Sequence, residues 1–233
     1  MLVFENGKFI MITPRLNSIL KHITKKSVAD IGTDHAYIPI YLAQNKLITH
    51  AIACDIKEGP LKIAQKNIEK YGFSDIIETR LGGGFSPLEE NEAETAVIAG
   101  MGGEMIIKIL AENLQKSYSF KEIILQPMNF QAELRKWLTE HNFEVILEDL
   151  SKEDFKVYNL IKVKKGNPYK YDGELEYHMP KYLYKNPLFH MLYDKKKREF
   201  TKILDGLLSA RNKDSALIKK YTNLLKELDT ICF

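Results

Sequence analysis

Apolar residues along this chain follow two alternating rhythms. Short apolar runs occupy residues 27–31 (SVADI), 51–56 (AIACDI), 76–81 (IIETRL), 95–100 (TAVIAG) and 122–127 (EIILQP). Their length and aliphatic content predict buried strands. Between them, apolar positions recur at helical spacing. Pro14 opens one such stretch through Arg15, Leu16, Ile19 and Leu20, and Pro39 sits in the first turn of the next, where its missing donor matters least. Gly59–Pro60 opens a third that runs to Lys70, with Leu61, Ala64 and Ile68 on one side. Residues 105–114 (MIIKILAENL) and 131–141, with Leu134, Trp137 and Leu138, give two more. FEVILEDL (143–150) and FKVYNLIKVKK (155–165) predict a closing hairpin.

This βαβα order predicts an α/β fold, a mostly parallel Rossmann-like sheet with helices on both faces. Ligands in such sheets bind outside the C-terminal ends of the strands. The unusual residues all fall at those ends: Asp30 to His35, Asp55, Gly82 to Gly84, and Gly100 to Gly103.

The rhythm changes after residue 165. Residues 166–187 are rich in Tyr, Pro and Gly and read as linker or loop. Residues 188–210 carry an apolar stripe of Phe189, Leu192, Phe200, Ile203, Leu204 and Leu207, and residues 215–229 one of Leu217, Tyr221, Leu224, Leu225 and Leu228. A break near Arg211–Asp214 makes them an antiparallel helical hairpin. Two units are therefore expected: a ligand-binding domain over 1–165, and a linker with helical hairpin over 166–233.

Composition sharpens this picture only in part. The 233 residues are 45% hydrophobic, enough for a real core. Residues 1–165 hold 21 Lys/Arg against 22 Asp/Glu, whereas residues 166–233 hold 13 against 9. The excess positive charge thus sits in the tail and favours an anionic partner. Two cysteines, Cys54 in an apolar run and Cys232 near the end, do not make a disulfide framework and fit a reducing, cytoplasmic setting. The N-terminal residues lack the pattern of a secretory signal, and no apolar run is long enough to span a membrane. CxxC, HxH and HExxH are absent, so no metal site is expected.

The first strand end carries the most chemistry. Gly32 permits a sharp turn and close approach of a ligand. The glycine pattern of dinucleotide sites is incomplete here, and Asp34 stands where a pyrophosphate would need space. Acids at this turn suit a ligand with an ammonium group instead, which points to S-adenosylmethionine over NAD. The plainer alternative is that Asp34 caps the following helix. Asp55 ends the second strand, where an acid can accept both ribose hydroxyls of an adenosine. Gly82–Gly84 brings backbone near an adenine ring or forms a flexible loop. Gly100, Met101, Gly102 and Gly103 pass from strand to helix beside the place where cofactor meets substrate. From the residues alone, the acceptor stays open.

These motifs carry a resemblance. ADIGTDHAYIPIYL, DIKEGPLKIAQKNI, RLGGGF, VIAGMGGEMI, ILQPMN with its following LRKWL, and KVYNLI resemble, in that order, the bacterial tRNA adenine-22 N1-methyltransferases. The likeness spans residues 12 to 165, and the tail matches in character. It implies a class I methyltransferase sheet with a helical C-terminal extension, S-adenosylmethionine as donor, and N1 of adenosine 22 in tRNA as acceptor. It places Asp30, Gly32, Asp34 and His35 in the first cofactor motif, and Asp55 with Ile56 at the ribose. Gly82 and Gly83 fall on the adenine side, and Ala99, Gly100, Met101 and Gly102 along the reaction pocket. Asp34, His35 and Met101 are the residues expected beside the reacting groups, with Tyr37 a further stacking candidate. Two departures stand out: Gly83 replaces an acid usual in relatives, and Met128 interrupts their QPN.

The resemblance also gives the basic tail a partner. Lys195, Lys196, Lys197 and Arg198, with Lys219 and Lys220, are expected to hold tRNA phosphates from the exposed side of the helical hairpin. The chain is expected to act as a monomer. Removing residues 170–233 is expected to weaken tRNA binding more than cofactor binding. A methyltransferase with a non-RNA acceptor, or a non-catalytic RNA-binding protein on this fold, remain the rival readings.

Overall fold

Seven strands form one sheet in the order β3-β2-β1-β4-β5-β7-β6. The computed structural model describes residue 10 and residues 12–231; Cys232 lies outside them. Helix α1 (Pro14–His22) leads into β1 (Ser27–Ile31), α2 (Tyr37–Gln44), β2 (His50–Asp55), α3 (Glu58–Tyr71) and β3 (Ile77–Leu81). Strand β4 (Thr95–Met101), helices α4 (Gly103–Glu112) and α5 (Leu114–Ser119), β5 (Glu122–Pro127) and α6 (Gln131–Glu140) follow. Strands β6 (Phe143–Glu153) and β7 (Lys156–Lys165) close the sheet as an antiparallel hairpin on β5. The five strands β1 to β5 pair in parallel.

The parallel strands are buried because helices cover both faces. All six residues of β5 are inaccessible, as are four of the five in β1. One apolar cluster joins Ile31, Ile52, Ile98, Ile106 and Leu134; the other joins Val28, Ile40, Ala53, Val97 and Leu160. Cys54 lies in the first as a buried free thiol. The helix expected at 105–114 begins earlier, at Gly103, and is interrupted at Asn113. The Asn113 side chain accepts the Lys116 amide at 2.9 Å and starts α5 as its cap.

The segment whose composition suggests a linker is folded. It contains α7 (Glu174–His178) and a 3-10 turn (Lys181–Leu183), and leads to α8 (Phe189–Ser209) and α9 (Ser215–Leu228). Its apolar residues Leu175, Met179 and Leu183 join Phe189, Phe200 and Leu228 in a third cluster, which includes Leu150 and Val157 of the β6–β7 hairpin. Its tyrosines serve a buried ion pair. Arg135 of α6 grips Glu148 of β6 through two bonds, 2.9 and 2.7 Å, with both side chains fully buried. The Tyr177 carbonyl accepts a third bond from Arg135 at 2.7 Å, and the Tyr182 hydroxyl donates to Glu148 at 2.6 Å. Tyrosines in this composition-biased stretch therefore supply polar partners that a loop would not need.

Candidate active site

A cavity of about 790 Å³ opens at the C-terminal ends of β1, β2, β3 and β4. Its floor is the turn after β1. The Gly32 and Thr33 amides both donate to the Cys54 carbonyl, at 2.8 and 2.9 Å, which folds this turn over β2. Gly32 has φ +75, and a Cβ there would stand 2.3 Å from the Met101 methyl. Only glycine keeps this passage open without displacing Met101.

Three carboxylates line the ends of these two adjacent strands. Asp30 is buried, 4% exposed, and accepts the Thr33 hydroxyl at 2.6 Å. Burial pushes its carboxyl up from 3.8 to about 6; the Thr33 bond opposes this and nearby Asp55 adds to it. Asp55 accepts the Lys57 amide through Oδ1 at 2.8 Å, while its backbone carbonyl accepts the Gly82 amide at 2.9 Å. Asp34 is largely exposed, with its carboxylate 3.5 Å from His35 Nε2. Asp34 does not cap α2: the cap position is Ala36, left-handed at φ 57 and without a side-chain bond. Asp34 itself is left-handed at φ 53. Two departures of this kind within three residues cost energy that a plain helix start does not require. His35 stacks on Tyr37 with ring centres 5.1 Å apart, and its carbonyl accepts the Asn67 amide at 3.0 Å.

The opposite wall comes from β4. Its ladder with β5 shifts register between Ala99 and Met101. Gly100, at φ +77, is the residue passed over. Ala99, Gly100 and Met101 line the cavity, as do Ile56, Gly82 and Gly83. Gly102 does not. A Cβ on Gly102 would meet the Asn129 side-chain oxygen at 2.8 Å, and one on Gly103 the Phe130 carbonyl at 2.5 Å. These two glycines let the start of α4 press against the loop after β5, so Gly102 shapes the wall from behind. Asn129 accepts the Gly103 amide at 3.3 Å and shares that role.

One wall residue escapes the motif reading. Arg15 of α1 reaches over the strand ends, donating to Gln126 Oε1 at 2.8 Å. Its guanidinium lies 6.0 Å from the centre of the Tyr158 ring. Its partner Gln126 is 111 residues away, so no local spacing could announce it. Thr33 and Glu112 also line the cavity.

The six tail cations expected on one exposed face are dispersed. Lys196 is buried at 6% and pairs with Glu199 at 2.8 Å, because α8 turns that position inward onto the third cluster. Lys197 pairs with Asp229 at 2.7 Å and Lys220 with Glu174 at 2.8 Å. Lys219 is exposed. Lys195 and Arg198, one turn apart, face the hairpin instead.

The donor set fits S-adenosylmethionine. The passage at Gly32 leaves bare backbone open to a ligand, and the lining offers carboxylates at Asp55 and Asp34 that could accept ribose hydroxyls and face a cationic group. Comparison with known proteins agrees. Residues 12–161 match the family model described as a methyltransferase domain. A tRNA (adenine(22)-N(1))-methyltransferase of Bacillus subtilis (strain 168) is 35% identical over 166 residues, 70% of either chain. The chain belongs to the tRNA (adenine-22-N1)-methyltransferase family. Among solved structures, the TrmK of M. capricolum, in complex with S-adenosyl-homocysteine, is 33% identical, with TM-score 0.80 over 96% of this chain and all of that one. A Streptococcus pneumoniae protein in complex with S-adenosyl-L-methionine is 30% identical, with TM-score 0.83, covering 94% of this chain and 98% of that one. The likeness to these two structures thus covers at least 94% of this chain. Among the described residues, no group of three or more His, Cys, Asp or Glu could hold a metal, and no helix is long and apolar enough to cross a membrane.

Proposed function

We propose that the protein transfers the methyl group of S-adenosylmethionine to N1 of adenosine 22 in tRNA, in the cytoplasm. The observation that carries this is the acid-lined cavity at the β1–β2 strand ends, in a chain of this family. The cofactor, when bound, supplies a methyl electrophile on a sulfonium sulfur. N1 of neutral adenine offers a lone pair and carries no proton, so the chain needs no strong base. It must instead hold, align and exclude water. Asp55 would hold the ribose, while Gly82 and Gly83 pass close to the adenine. Asp30, fixed by Thr33, would keep the turn in shape, and Asp34 with His35 stands at its exposed rim. Met101 would separate donor from acceptor sides. Carboxylates fixed here favour the positive charge as it moves from sulfur to base. A target within tRNA must be unstacked to reach the cavity, and the stacked His35 and Tyr37 offer it a flat surface.

Nucleoside mass spectrometry on unmodified tRNA incubated with the protein and S-adenosylmethionine tests this. One 1-methyladenosine per tRNA is expected, and none in a transcript with adenine 22 replaced by guanine. Cofactor binding without product on any tRNA would overturn the acceptor; failure to bind the cofactor would overturn the activity.

A further inference from the structure

A second groove, about 660 Å³, lies between the tip of the β6–β7 hairpin and α8. Lys152 and Lys156 line it from the hairpin, Lys195 and Arg198 from α8. None of the four makes an ion pair among the described residues, unlike Lys121, Lys136, Lys162, Lys197 and Lys220. Two acids, Asp154 and Asp194, also face it, leaving an excess of two positive charges. Burial lowers the Lys195 ammonium from its usual range, a cost that an anion in the groove would offset.

The hairpin tip adds an aromatic. Phe155 is 92% exposed. Tight hairpin turns favour Gly, Asn or Asp, and Asp154 already takes the left-handed position at φ 53. Phe155 thus serves neither the turn nor the core. The groove also adjoins the reaction cavity through two contacts. The Met128 amide, on the groove side, donates to the Met101 carbonyl at 2.9 Å. Tyr158 lines the groove and faces Arg15, which lines the cavity.

We infer that this groove is an RNA site, holding the backbone of the nucleotides next to the methylated adenosine while Phe155 stacks on a neighbouring base. The inference rests on the proposed tRNA activity. Unpaired cations meet phosphates, and an exposed aromatic meets a base face, which is the chemistry of single-stranded nucleic-acid grooves. A protein partner would be expected to cover Phe155 with apolar surface rather than leave cations to satisfy.

The test uses the full chain. Lys195→Gln/Arg198→Gln and Phe155→Ala are compared with Lys62→Ala/Lys66→Ala on α3, which packs on β2 and β3 at the other side of the sheet. tRNA affinity is read against salt concentration, and S-adenosylhomocysteine affinity alongside. The groove pair is expected to flatten the slope of log affinity against log salt by about 1.4, two phosphates at roughly 0.7 each. Phe155→Ala is expected to weaken tRNA binding about tenfold with the salt slope kept. S-adenosylhomocysteine affinity is expected to stay unchanged in both. An unchanged slope and affinity in the groove variants, or an equal flattening in the α3 pair, overturns the inference. These outcomes are separable from the activity: wild-type methylation with indifferent groove variants sinks the groove alone. Groove-dependent RNA binding without methylation sinks the activity and leaves the groove standing.

Discussion

Asp30→Asn should stabilise the protein, and by an amount that depends on pH. The Asp30 carboxyl is buried and pushed from 3.8 up to about 6. The folded state therefore holds its proton more tightly than the unfolded chain does. Its contribution is fully present below pH 3.8 and is lost as pH rises to about 6. At about 1.4 kcal/mol for each tenfold change, the ionised carboxylate costs about 3 kcal/mol above neutral pH. Asparagine keeps the shape and still accepts the Thr33 hydroxyl, but carries no charge to desolvate. Urea unfolding of wild type and variant would measure the difference. By this reasoning the variant gains about 1 kcal/mol at about pH 4.5 and about 3 kcal/mol at about pH 7.5. Any fixed offset from the amide cancels in that comparison, so the change of about 2 kcal/mol is the quantity tested. A difference that stays flat across this range would refute the reasoning. The variant is also expected to bind S-adenosylmethionine more weakly, because the carboxylate that costs stability faces the cofactor cavity.

Three further outcomes are expected. Gly83→Asp should tighten S-adenosylhomocysteine binding about tenfold by calorimetry, through an added bond to the adenine amino group; its Cβ would lie 3.1 Å from the end of Ile56, an exposed and movable side chain, and an unchanged affinity would count against an adenine at this loop. Arg135→Met should cost about 3–5 kcal/mol in urea unfolding by leaving Glu148 buried and unpaired, and adding Glu148→Leu should recover most of it. His178 is held neutral, pulled from 6.5 to about 3 by burial first and by Lys196 next, so its contribution is present above pH 6.5 and lost as pH falls. His178→Leu should remove about 1.4 kcal/mol per pH unit from the acid-side loss of stability between about pH 6 and pH 4.5, and an unaltered slope would show that His178 takes up no proton on unfolding.

The sheet was legible because each strand announces itself locally. Runs such as EIILQP have few competing readings when bounded by turn residues, and their ends brought Asp30, Asp34, Asp55 and the glycines together without any knowledge of pairing. What escaped is what depends on distant contacts. Arg15 becomes a cavity residue only through Gln126, across the chain. Gly102 has the same local signature as Gly100, yet the register shift turns Gly100 toward the cavity and leaves Gly102 against Asn129. Lys196 reads as one of four adjacent cations, but four adjacent helical positions span the whole circumference. One of them had to face the tail's own core, and it pairs with Glu199 at the edge of that core.

That last point changes how RNA binding can be separated from folding. If residues 166–187 were a linker, deleting the tail would leave an intact cofactor domain, and loss of tRNA binding would have a simple meaning. The tail instead supplies most of a core that includes Leu150 and Val157. It also supplies the Tyr177 carbonyl and the Tyr182 hydroxyl to the Arg135–Glu148 pair. Deletion would uncover the apolar side of the β6–β7 hairpin and strip two bonds from a fully buried ion pair, a loss worth about 1.5–3 kcal/mol for each charged partner. Cofactor affinity would then fall with stability, and the expected contrast between tRNA and cofactor binding would blur. Charge substitutions at Lys195 and Arg198 avoid this, since neither cation makes an ion pair among the described residues. They are the perturbation able to move tRNA affinity while leaving the sheet, and the cofactor, where they are.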